Sequence, residues 1–384
     1  MATRANNSLP RRNTNLDALR GIAILMVLAH HAGRAITIAH ASNAFTRYFE
    51  RIGWAGVDLF FVISGYLISG LLFSDYHKHG SIGLSRFYIR RALKIWPSLY
   101  ALIAVTVLID LLPGHVFPKI SHLLAELFFV QDYFQSIWGL TWSLAVEEHF
   151  YHGLPLLLIF LIRRDPEKPF AALPRVFAAI AVFSLVCRFY VGWNLDGVFA
   201  PLTYMFPTHL RMDGLMYGVL LRYFKEFRPT LFQRMVSWRG AWAVVASALV
   251  VLSAFTNESR QMHTWGFTVL YIASGFLVAK AVAVRGPKPV RAMSSLLARF
   301  GIYSYSIYLW QMFFVWIILQ HFHITSHMFF YWCSIAGPIL FGILMAKIIE
   351  FPVLHFRDRV FPALTEKKPA AAPAEPALES VATS

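Results

Sequence analysis

Cysteine and charged side chains are both scarce in this chain of 384 residues. The two cysteines, Cys187 and Cys333, each lie inside an apolar run. Two isolated cysteines exclude a disulfide framework, a four-cysteine zinc site and a haem attachment motif, and we interpret both as small buried hydrophobic residues. The sequence also lacks a phosphate-binding P-loop, which argues against a P-loop nucleotide hydrolase.

Charged residues make up 14% of the chain and hydrophobic residues 57%. An ordinary soluble domain carries roughly a quarter charged residues, so this balance is typical of a protein that has lipid as its solvent. The formal net charge of +15 does not by itself predict a nucleic-acid partner. Membrane proteins retain Lys and Arg in their cytoplasmic loops, so the positions of the basic residues decide whether the net charge reflects topology or a nucleic-acid partner. We predict membrane lipid, and no nucleic acid, as a partner.

Apolar segments long enough to form transmembrane helices recur along the chain. A helix needs roughly 20 mainly apolar residues to cross about 30 Å of hydrocarbon. The predicted fold is therefore an all-α integral membrane protein with about ten transmembrane helices. The predicted spans lie at residues 16–36, 57–73, 95–112, 144–162, 176–192, 210–224, 241–255, 265–283, 297–319 and 328–350.

Basic residues alternate between the loops that join these spans. Lys and Arg are frequent in every second loop, and the loops between contain only Arg47, Arg51, Lys119 and Arg260. Cytoplasmic loops carry the excess of Lys and Arg. The alternation therefore predicts a multi-pass protein of a bacterial inner membrane with both termini in the cytoplasm.

The two ends of the chain and one internal segment differ from the spans in composition or in apolar length. Residues 1–14 form a predicted basic cytoplasmic segment, and residues 15–360 the ten-span domain. No cleaved signal peptide is expected, because His30 and His31 stand where small residues would be needed. Residues 361–384, rich in Ala and Pro, predict a disordered cytoplasmic tail. Segment 121–133 is apolar but too short to cross, which indicates an interfacial or re-entrant piece.

Ionisable residues in the first span need an explanation, because a charge in hydrocarbon costs at least a few kcal/mol. The span contains Asp17, Arg20, His30 and His31. A helix places Arg20 and His31 about 20° apart around its axis and about 16 Å apart along it. An anion-binding group and an imidazole at this spacing suit a substrate with a phosphorylated head and a reactive end. The alternative is that Arg20 reaches lipid phosphate and His31 bonds a neighbouring helix.

A second group of basic residues precedes the third span. Arg86 and Arg90 are one helical turn apart, and Arg91 and Lys94 lie beside them. Such a cluster can bind several phosphates. It can equally flank a span and bind anionic lipid.

Acidic residues occur at three further places in the spans. Glu147 and Glu148 lie at the predicted outer end of the fourth span, where adjacent carboxylates must point in different directions. One of them can orient or pair with a cation while the other meets water, or both are solvated. Arg211 and Asp213 in the sixth span could neutralise each other, and Glu350 lies at the cytoplasmic end of the tenth.

Five segments, taken in order, resemble the motifs of the membrane-bound acyltransferase family 3. They are NLDALRGIA (15–23), GVDLFFVISGY (56–66), RFYIRRALKIWP (86–97), WSLAVEEHFY (142–151) and YSYSIYLW (303–310). The resemblance implies transfer of an acyl group, usually acetyl, from acyl-CoA to a hydroxyl. The implied acceptor is a lipopolysaccharide, an exopolysaccharide or another glycan on the outer side of the membrane.

The resemblance also assigns roles to residues. The family's pattern of Arg, ten residues and His falls on Arg20 and His31, which implies that His31 is catalytic. The implied acyl-CoA-binding residues are Arg20, Arg86, Arg90 and Arg91. Glu147 and Glu148 match the family's paired acids.

The sequence departs from the pattern at Ala18, where Gly is commoner, at His149, where Gln is commoner, and at Gln311, where His is common. Gln311 cannot titrate, which puts a proton-relay role there in doubt.

Together the spacing and the resemblance suggest a mechanism. The pantetheine arm of acyl-CoA would extend along the first span from Arg20 towards His31. His31 would act as a general base on the acceptor hydroxyl or carry the acyl group itself, and the sequence leaves both routes open. Asp58, Glu147 or Glu148 would orient or charge-balance His31. The predicted supporting residues are Asp17, Arg211, Asp213 and Glu350.

No metal and no permanently bound cofactor are expected, because a thioester already carries a good leaving group. The sequence contains no segment resembling a periplasmic esterase domain. We therefore expect the acyl group to reach the acceptor directly or through a separate periplasmic transferase. The oligomeric state stays open.

A transporter or flippase for an anionic or saccharide substrate is the alternative function. Its intramembrane charges would form a permeation path, and the basic loops would only set the topology. Such transporters often have inverted repeats with Gly- or Pro-broken spans in matching halves, and neither is evident here. A third hypothesis is that the chain is a sensor or a structural membrane protein.

Overall fold

The computed structural model describes residues 13–113, 117–194, 199–284, 286–321 and 326–362, with the side chains of residues 320 and 321 left out. Every regular element in these ranges is helical, so the predicted all-α class is confirmed. Most of the predicted N-terminal segment 1–14 and of the predicted tail 361–384 lies outside the described residues.

Fifteen α-helices are described, and two π-helical turns and one 3₁₀ turn adjoin them. The α-helices are α1 Thr14–Ile38, α2 Ala44–Gly53, α3 Gly56–His79, α4 Leu84–Asp110, α5 Ile120–Leu127, α6 Trp142–Arg164, α7 Leu173–Trp193, α8 Pro201–Tyr204, α9 Thr208–Phe227, α10 Pro229–Ser237, α11 Ala241–Ala254, α12 Phe267–Ala283, α13 Lys288–His321, α14 His327–Met345 and α15 Phe351–Val360.

Eight helices of the described part are long and apolar enough to cross a membrane. A ninth is added if α10 and α11, which meet at a bend of 63°, form one span. The predicted span 210–224 lies in α9, which has 20 residues. Arg211, Asp213, Arg222 and Lys225 make α9 too charged to be recognised as a span by composition alone. The protein is therefore a multi-pass helical membrane protein.

The predicted short segment at 121–133 forms α5 and a loop that folds back towards α6. With eight residues, α5 is too short to cross a bilayer. The Glu126 carboxylate at its end accepts hydrogen bonds from the backbone N–H groups of Ile137 (3.2 Å) and Trp138 (3.4 Å) and from Thr141 Oγ1 (2.8 Å). Burial raises the pKa of Glu126 to about 7. This carboxyl thus shapes the loop that leads through the 3₁₀ turn Gly139–Thr141 into α6.

Glycines let α1 and α13 approach until their backbones touch. A Cβ atom on Gly301 would lie 1.8 Å from the carbonyl oxygen of Asp17, and one on Gly21 would lie 2.1 Å from the carbonyl oxygen of Leu297. Any larger residue would force the two helices apart. The same two helices carry His31 and Gln311 further along, so this contact sets the distance between those side chains.

Helices α3 and α9 meet in the same way. A Cβ atom on Gly65 would lie 1.9 Å from the carbonyl oxygen of Leu215, and one on Gly218 would lie 2.2 Å from that of Val62. Such close approach of helix backbones through small residues is the common packing mode in membranes, where lipid removes the hydrophobic driving force between helices. It brings Asp58 of α3 within reach of α9.

Replacing Gly301 with alanine should destabilise the protein by about 1–3 kcal/mol, because an added methyl group must displace backbone atoms of α1. Thermal unfolding of the detergent-solubilised protein, followed by tryptophan fluorescence, would measure the loss. Gly153→Ala is the matched control, since no atom lies within 4 Å of the Cβ position at Gly153. An equal unfolding midpoint in both variants would contradict the close contact of α1 with α13.

Candidate active site

A cavity of about 160 Å³ lies between α1, α3, α4, α6 and α13. Three cations line it, Arg20 of α1 and Arg91 and Lys94 of α4, together with the carboxylate of Glu147. We call it the basic cavity. These three side chains offer hydrogen-bond donors to an anion, and guanidinium groups in particular make paired hydrogen bonds to phosphate. Asp17 stays close to Arg20, with 3.8 Å between Oδ1 and Nη1.

The two adjacent glutamates of α6 face different surroundings, as their sequence positions predict. Glu147 faces the basic cavity and accepts hydrogen bonds from Ser64 Oγ and Tyr151 OH, both at 2.8 Å. Glu148 is buried beside a separate pocket between α4 and α6, and its Oε2 accepts a weak hydrogen bond from Trp96 Nε1 at 3.4 Å. The guanidinium of Arg91 lies between the two spaces, 4.2 Å above the ring of Tyr151.

Glu350 holds Lys94 at the wall of the basic cavity. Its Oε1 pairs with Lys94 Nζ, and its Oε2 accepts a hydrogen bond from Ser306 Oγ at 2.5 Å. Glu350 ends the π-helical turn Ala346–Glu350, and such turns are frequent at functional sites. The structure thus gives this predicted supporting residue a definite partner.

The predicted acyl-CoA-binding arginines do not all line one cavity. Arg20 and Arg91 line the basic cavity. Arg90 instead pairs with Asp358 of α15 at 3.0 Å and also donates to the carbonyl oxygen of Phe361. Arg86 lies on a different pocket, formed by residues 80–85 and by Ile159, Ile162 and Arg163 of α6. The cluster therefore divides around α4, because residues three to five apart on a helix cover more than one of its sides.

A second, larger cavity of about 720 Å³ lies towards the C-terminal end of α1. Its polar side chains include His30, His31, Arg34, Asn257, Glu258 and His327, and most of its remaining wall is apolar or aromatic. We call it the histidine cavity. Arg34 Nη1 lies 3.4 Å from Glu258 Oε1 and 3.8 Å from Glu50 Oε1, so this arginine is held at the cavity wall by carboxylates.

Gln311 orients the imidazole of His31. His31 Nδ1 lies 3.0 Å from Gln311 Oε1, and Gln311 Nε2 donates to the carbonyl oxygen of Tyr308 at 3.0 Å. Because the amide nitrogen is engaged by a carbonyl, the amide oxygen must accept from His31, which assigns the proton of a neutral imidazole to Nδ1. His31 Nε2 then carries the lone pair. The neighbouring His30 is held differently, since its Nδ1 lies 2.6 Å from the carbonyl oxygen of Glu50.

The two cavities meet at one place. Of the described residues, Val57 and Tyr308 line both. The Tyr308 hydroxyl donates to the carbonyl oxygen of Leu140 and accepts from Ser143 Oγ, both at 2.7 Å. Arg20 and His31, predicted to share one face of α1, therefore line separate cavities that adjoin at the pair Val57 and Tyr308. We call this pair the constriction.

Asp58 does not contact His31. It pairs with Arg211 at 2.8 Å, and the guanidinium of Arg211 lies 3.7 Å above the ring of Phe267. The alternative that Arg211 and Asp213 neutralise each other is not the pairing that the structure has, because Asp213 forms its ion pair with Arg188 of α7 at 2.7 Å. All four residues are buried. The side chain that contacts and orients His31 is therefore Gln311. It is not Asp58, Glu147 or Glu148.

Sequence reasoning missed three residues of this region. Arg188 lies inside the predicted fifth span, where any ionisable residue is a candidate for function or pairing, so it could have been found. Arg34 lies one helical turn after His30, and its position on α1 pointed to the same wall. Gln311 was discounted because it cannot titrate, although orienting an imidazole needs only a hydrogen-bond acceptor.

Comparison with known proteins identifies the family. The sequence profile described as an acyltransferase domain matches residues 13–349. A Staphylococcus aureus (strain COL) protein that carries the provisional name O-acetyltransferase is 26% identical over 360 residues, which cover 88% of this chain and 56% of that protein. The protein named O-acetyltransferase OatA in Staphylococcus aureus (strain NCTC 8325 / PS 47) is 27% identical over 397 residues, which cover 94% of this chain and 60% of that protein.

This chain thus spans less than two thirds of the length of both relatives. No solved structure matches it. The profile match covers most of the chain and includes the five motifs, both cavities and the constriction. The protein is therefore a member of the membrane acyltransferase 3 family.

Proposed function

We propose that this protein transfers a short acyl group, acetyl in the first instance, from acyl-CoA to a hydroxyl of a surface glycan. In this proposal the basic cavity faces the cytoplasm of a bacterial inner membrane and receives the donor. The histidine cavity faces outward and receives the acceptor. The observation that carries the proposal is that a cation-lined cavity and a histidine-lined cavity adjoin within one helical bundle.

The positively charged side chains of the basic cavity support its role as the donor site. Acyl-CoA carries phosphates at one end and the thioester at the other, and Arg20, Arg91 and Lys94 offer cations where the donor would enter. A cavity of about 160 Å³ suits part of the pantetheine arm, so the nucleotide end would remain nearer the basic surface of α4. The thioester would then lie close to the constriction.

The acceptor side is supported by size and polarity. A cavity of about 720 Å³ has room for sugar units. Trp142 and Phe206 stack at 4.7 Å in its wall and offer an aromatic surface, while Arg34 and Glu258 offer hydrogen-bonding groups for hydroxyls. Glycan acceptors fit this mixture of flat apolar surface and polar edges.

The chemistry follows from the tautomer that Gln311 imposes. His31 Nε2 accepts the proton of the acceptor hydroxyl while that oxygen attacks the thioester carbonyl. The C–S bond breaks as the C–O bond forms, and the departing thiolate takes the proton from the imidazolium. The products are an O-acyl ester and free CoA, and His31 returns to its neutral form.

A double-label experiment tests this function against transport. Inside-out membrane vesicles of a producing strain would receive acetyl-CoA with ¹⁴C in the acetyl group and ³H in the adenine. Acyl transfer predicts ¹⁴C in the vesicle glycans, released by mild base, with ³H left in the medium. A transporter would move both labels together or neither.

Two controls complete the design. Vesicles from a strain without the protein should remain unlabelled. Right-side-out vesicles should also remain unlabelled, because they hide the basic cavity from the donor. Absence of base-labile ¹⁴C from the inside-out vesicles would refute the proposed function.

A further inference from the structure

The constriction between the two cavities lies on the route that the acyl group must follow. The donor enters on the side of Arg20, whereas His31 lies on the other side. Of the described residues, only Val57 and Tyr308 belong to both walls. On the proposed route, an acyl group that moves from the basic cavity to the histidine cavity passes the two side chains that their walls share.

Both side chains are held in place. The hydroxyl of Tyr308 bonds to Leu140 and Ser143 at 2.7 Å each, which fixes the ring against the start of α6. Val57 lies between Gly56 and Asp58, and both of these residues are held by contacts with other helices. A Cβ on Gly56 would lie 2.4 Å from the carbonyl oxygen of Ala23, so α3 begins in backbone contact with α1, and Asp58 is paired with Arg211. A rigid opening discriminates by size better than a flexible one, because it does not adapt to a larger group.

The constriction is also apolar. The methyl groups of Val57 and the ring of Tyr308 form it, and the ring of Phe60 lies beside Tyr308, with 6.5 Å between the ring centroids. A carboxylate in such surroundings loses its hydration without gaining a partner. Acyl groups that end in a carboxylate are disfavoured for this reason, independently of their length.

We propose that Val57 and Tyr308 form the acyl filter of this protein, which admits short uncharged acyl groups and rejects longer or carboxylated ones. The inference rests on the proposed function and adds to it the determinant of donor specificity. The bond changes are those of the transfer itself: the acyl C–S bond breaks, the C–O ester bond forms, and the hydroxyl proton ends on the CoA thiol.

A size series at position 57 tests the filter. Vesicles would receive acetyl-CoA and butyryl-CoA in equal amounts, and mass spectrometry would give the ratio of butyryl to acetyl esters released from the glycans. One methylene in an apolar pocket changes specificity about 10- to 200-fold. Val57→Ala should therefore raise the ratio at least about tenfold, and Val57→Ile should lower it. Succinyl-CoA should be a poor donor for the wild type.

Val251→Ala is the matched control, since Val57 and Val251 are both 8% exposed and Val251 lines neither cavity. Its butyryl-to-acetyl ratio should equal that of the wild type. Tyr308→Phe provides a second perturbation that keeps the ring but removes its two hydrogen bonds, and it should also raise the ratio.

The outcomes separate this inference from the proposed function. If the wild type forms no ester from any acyl-CoA, the proposed function fails. If the wild type forms acetyl esters but the ratio is the same in Val57→Ala, Val57→Ile and Tyr308→Phe, the filter is overturned and the proposed function stands. Should Val57→Ala not accumulate, the Val57→Ile and Tyr308→Phe ratios decide.

Discussion

Replacing His31 with alanine is expected to lower the rate of acyl transfer about 10²- to 10⁴-fold, the usual contribution of a general base. The variant removes the imidazole that Gln311 holds with its Nδ1 engaged, and with it the Nε2 lone pair that would accept the hydroxyl proton. The initial rate of base-labile ¹⁴C incorporation, at matched amounts of protein in inside-out vesicles, measures the effect. Binding of acetyl-CoA should change little, because the basic cavity is intact.

The matched control for His31 is His40→Asn. His40 is exposed two positions beyond the end of α1, has a φ of 56°, and lines neither cavity. Asparagine tolerates this left-handed conformation, so the variant removes an imidazole without straining the backbone. It should transfer acetyl at the wild-type rate. A His31→Ala rate within tenfold of the wild type would refute the catalytic role of His31.

Replacing Arg188 with methionine should destabilise the protein by about 3–5 kcal/mol, the cost of leaving one partner of a buried ion pair uncompensated. Arg188 donates to Asp213 at 2.7 Å and to the carbonyl oxygens of Leu210 (2.7 Å) and Thr264 (3.1 Å). Its loss leaves Asp213 buried without its cation. The midpoint of thermal unfolding in detergent is the measurement.

A second substitution separates lost charge balance from lost packing. Arg188→Met combined with Asp213→Leu removes both charges and should recover much of the stability, because replacing a buried pair by apolar residues is often neutral. The exposed Arg164→Met is the control and should fall within about 0.5 kcal/mol of the wild type. If Arg188→Met unfolds at the same temperature as Arg164→Met, the buried pair does not stabilise the fold.

Several elements were predictable because their signals are local. Membrane thickness sets the length of an apolar helix, so hydropathy placed α1, α6 and α7 within a few residues of their observed bounds. The charge in α9 hid that helix from a composition test, although its apolar residues still indicated a span. In the first span the helical period predicted Arg20 and His31 on one side of α1, and in the structure they line two adjoining cavities.

The ion-pair partner of each buried charged residue was not predictable in the same way. By sequence, Arg211 and Asp213 could neutralise each other, yet residues two apart on a helix do not face each other. Their partners, Asp58 and Arg188, come from α3 and α7. Likewise, the basic cluster on α4 was read as one site, whereas its members face the basic cavity, α15 and a separate pocket.

The sequence by itself determined the helical membrane class, the family and the candidate residues for the chemistry, because helix length, hydropathy and motif order are properties of short segments. Only the tertiary structure decided that Gln311 orients His31, that Arg188 pairs with Asp213, and that Val57 and Tyr308 separate two cavities. Each of these contacts joins helices distant in sequence. Their geometry depends on how closely glycines such as Gly301 and Gly65 let the helix backbones approach.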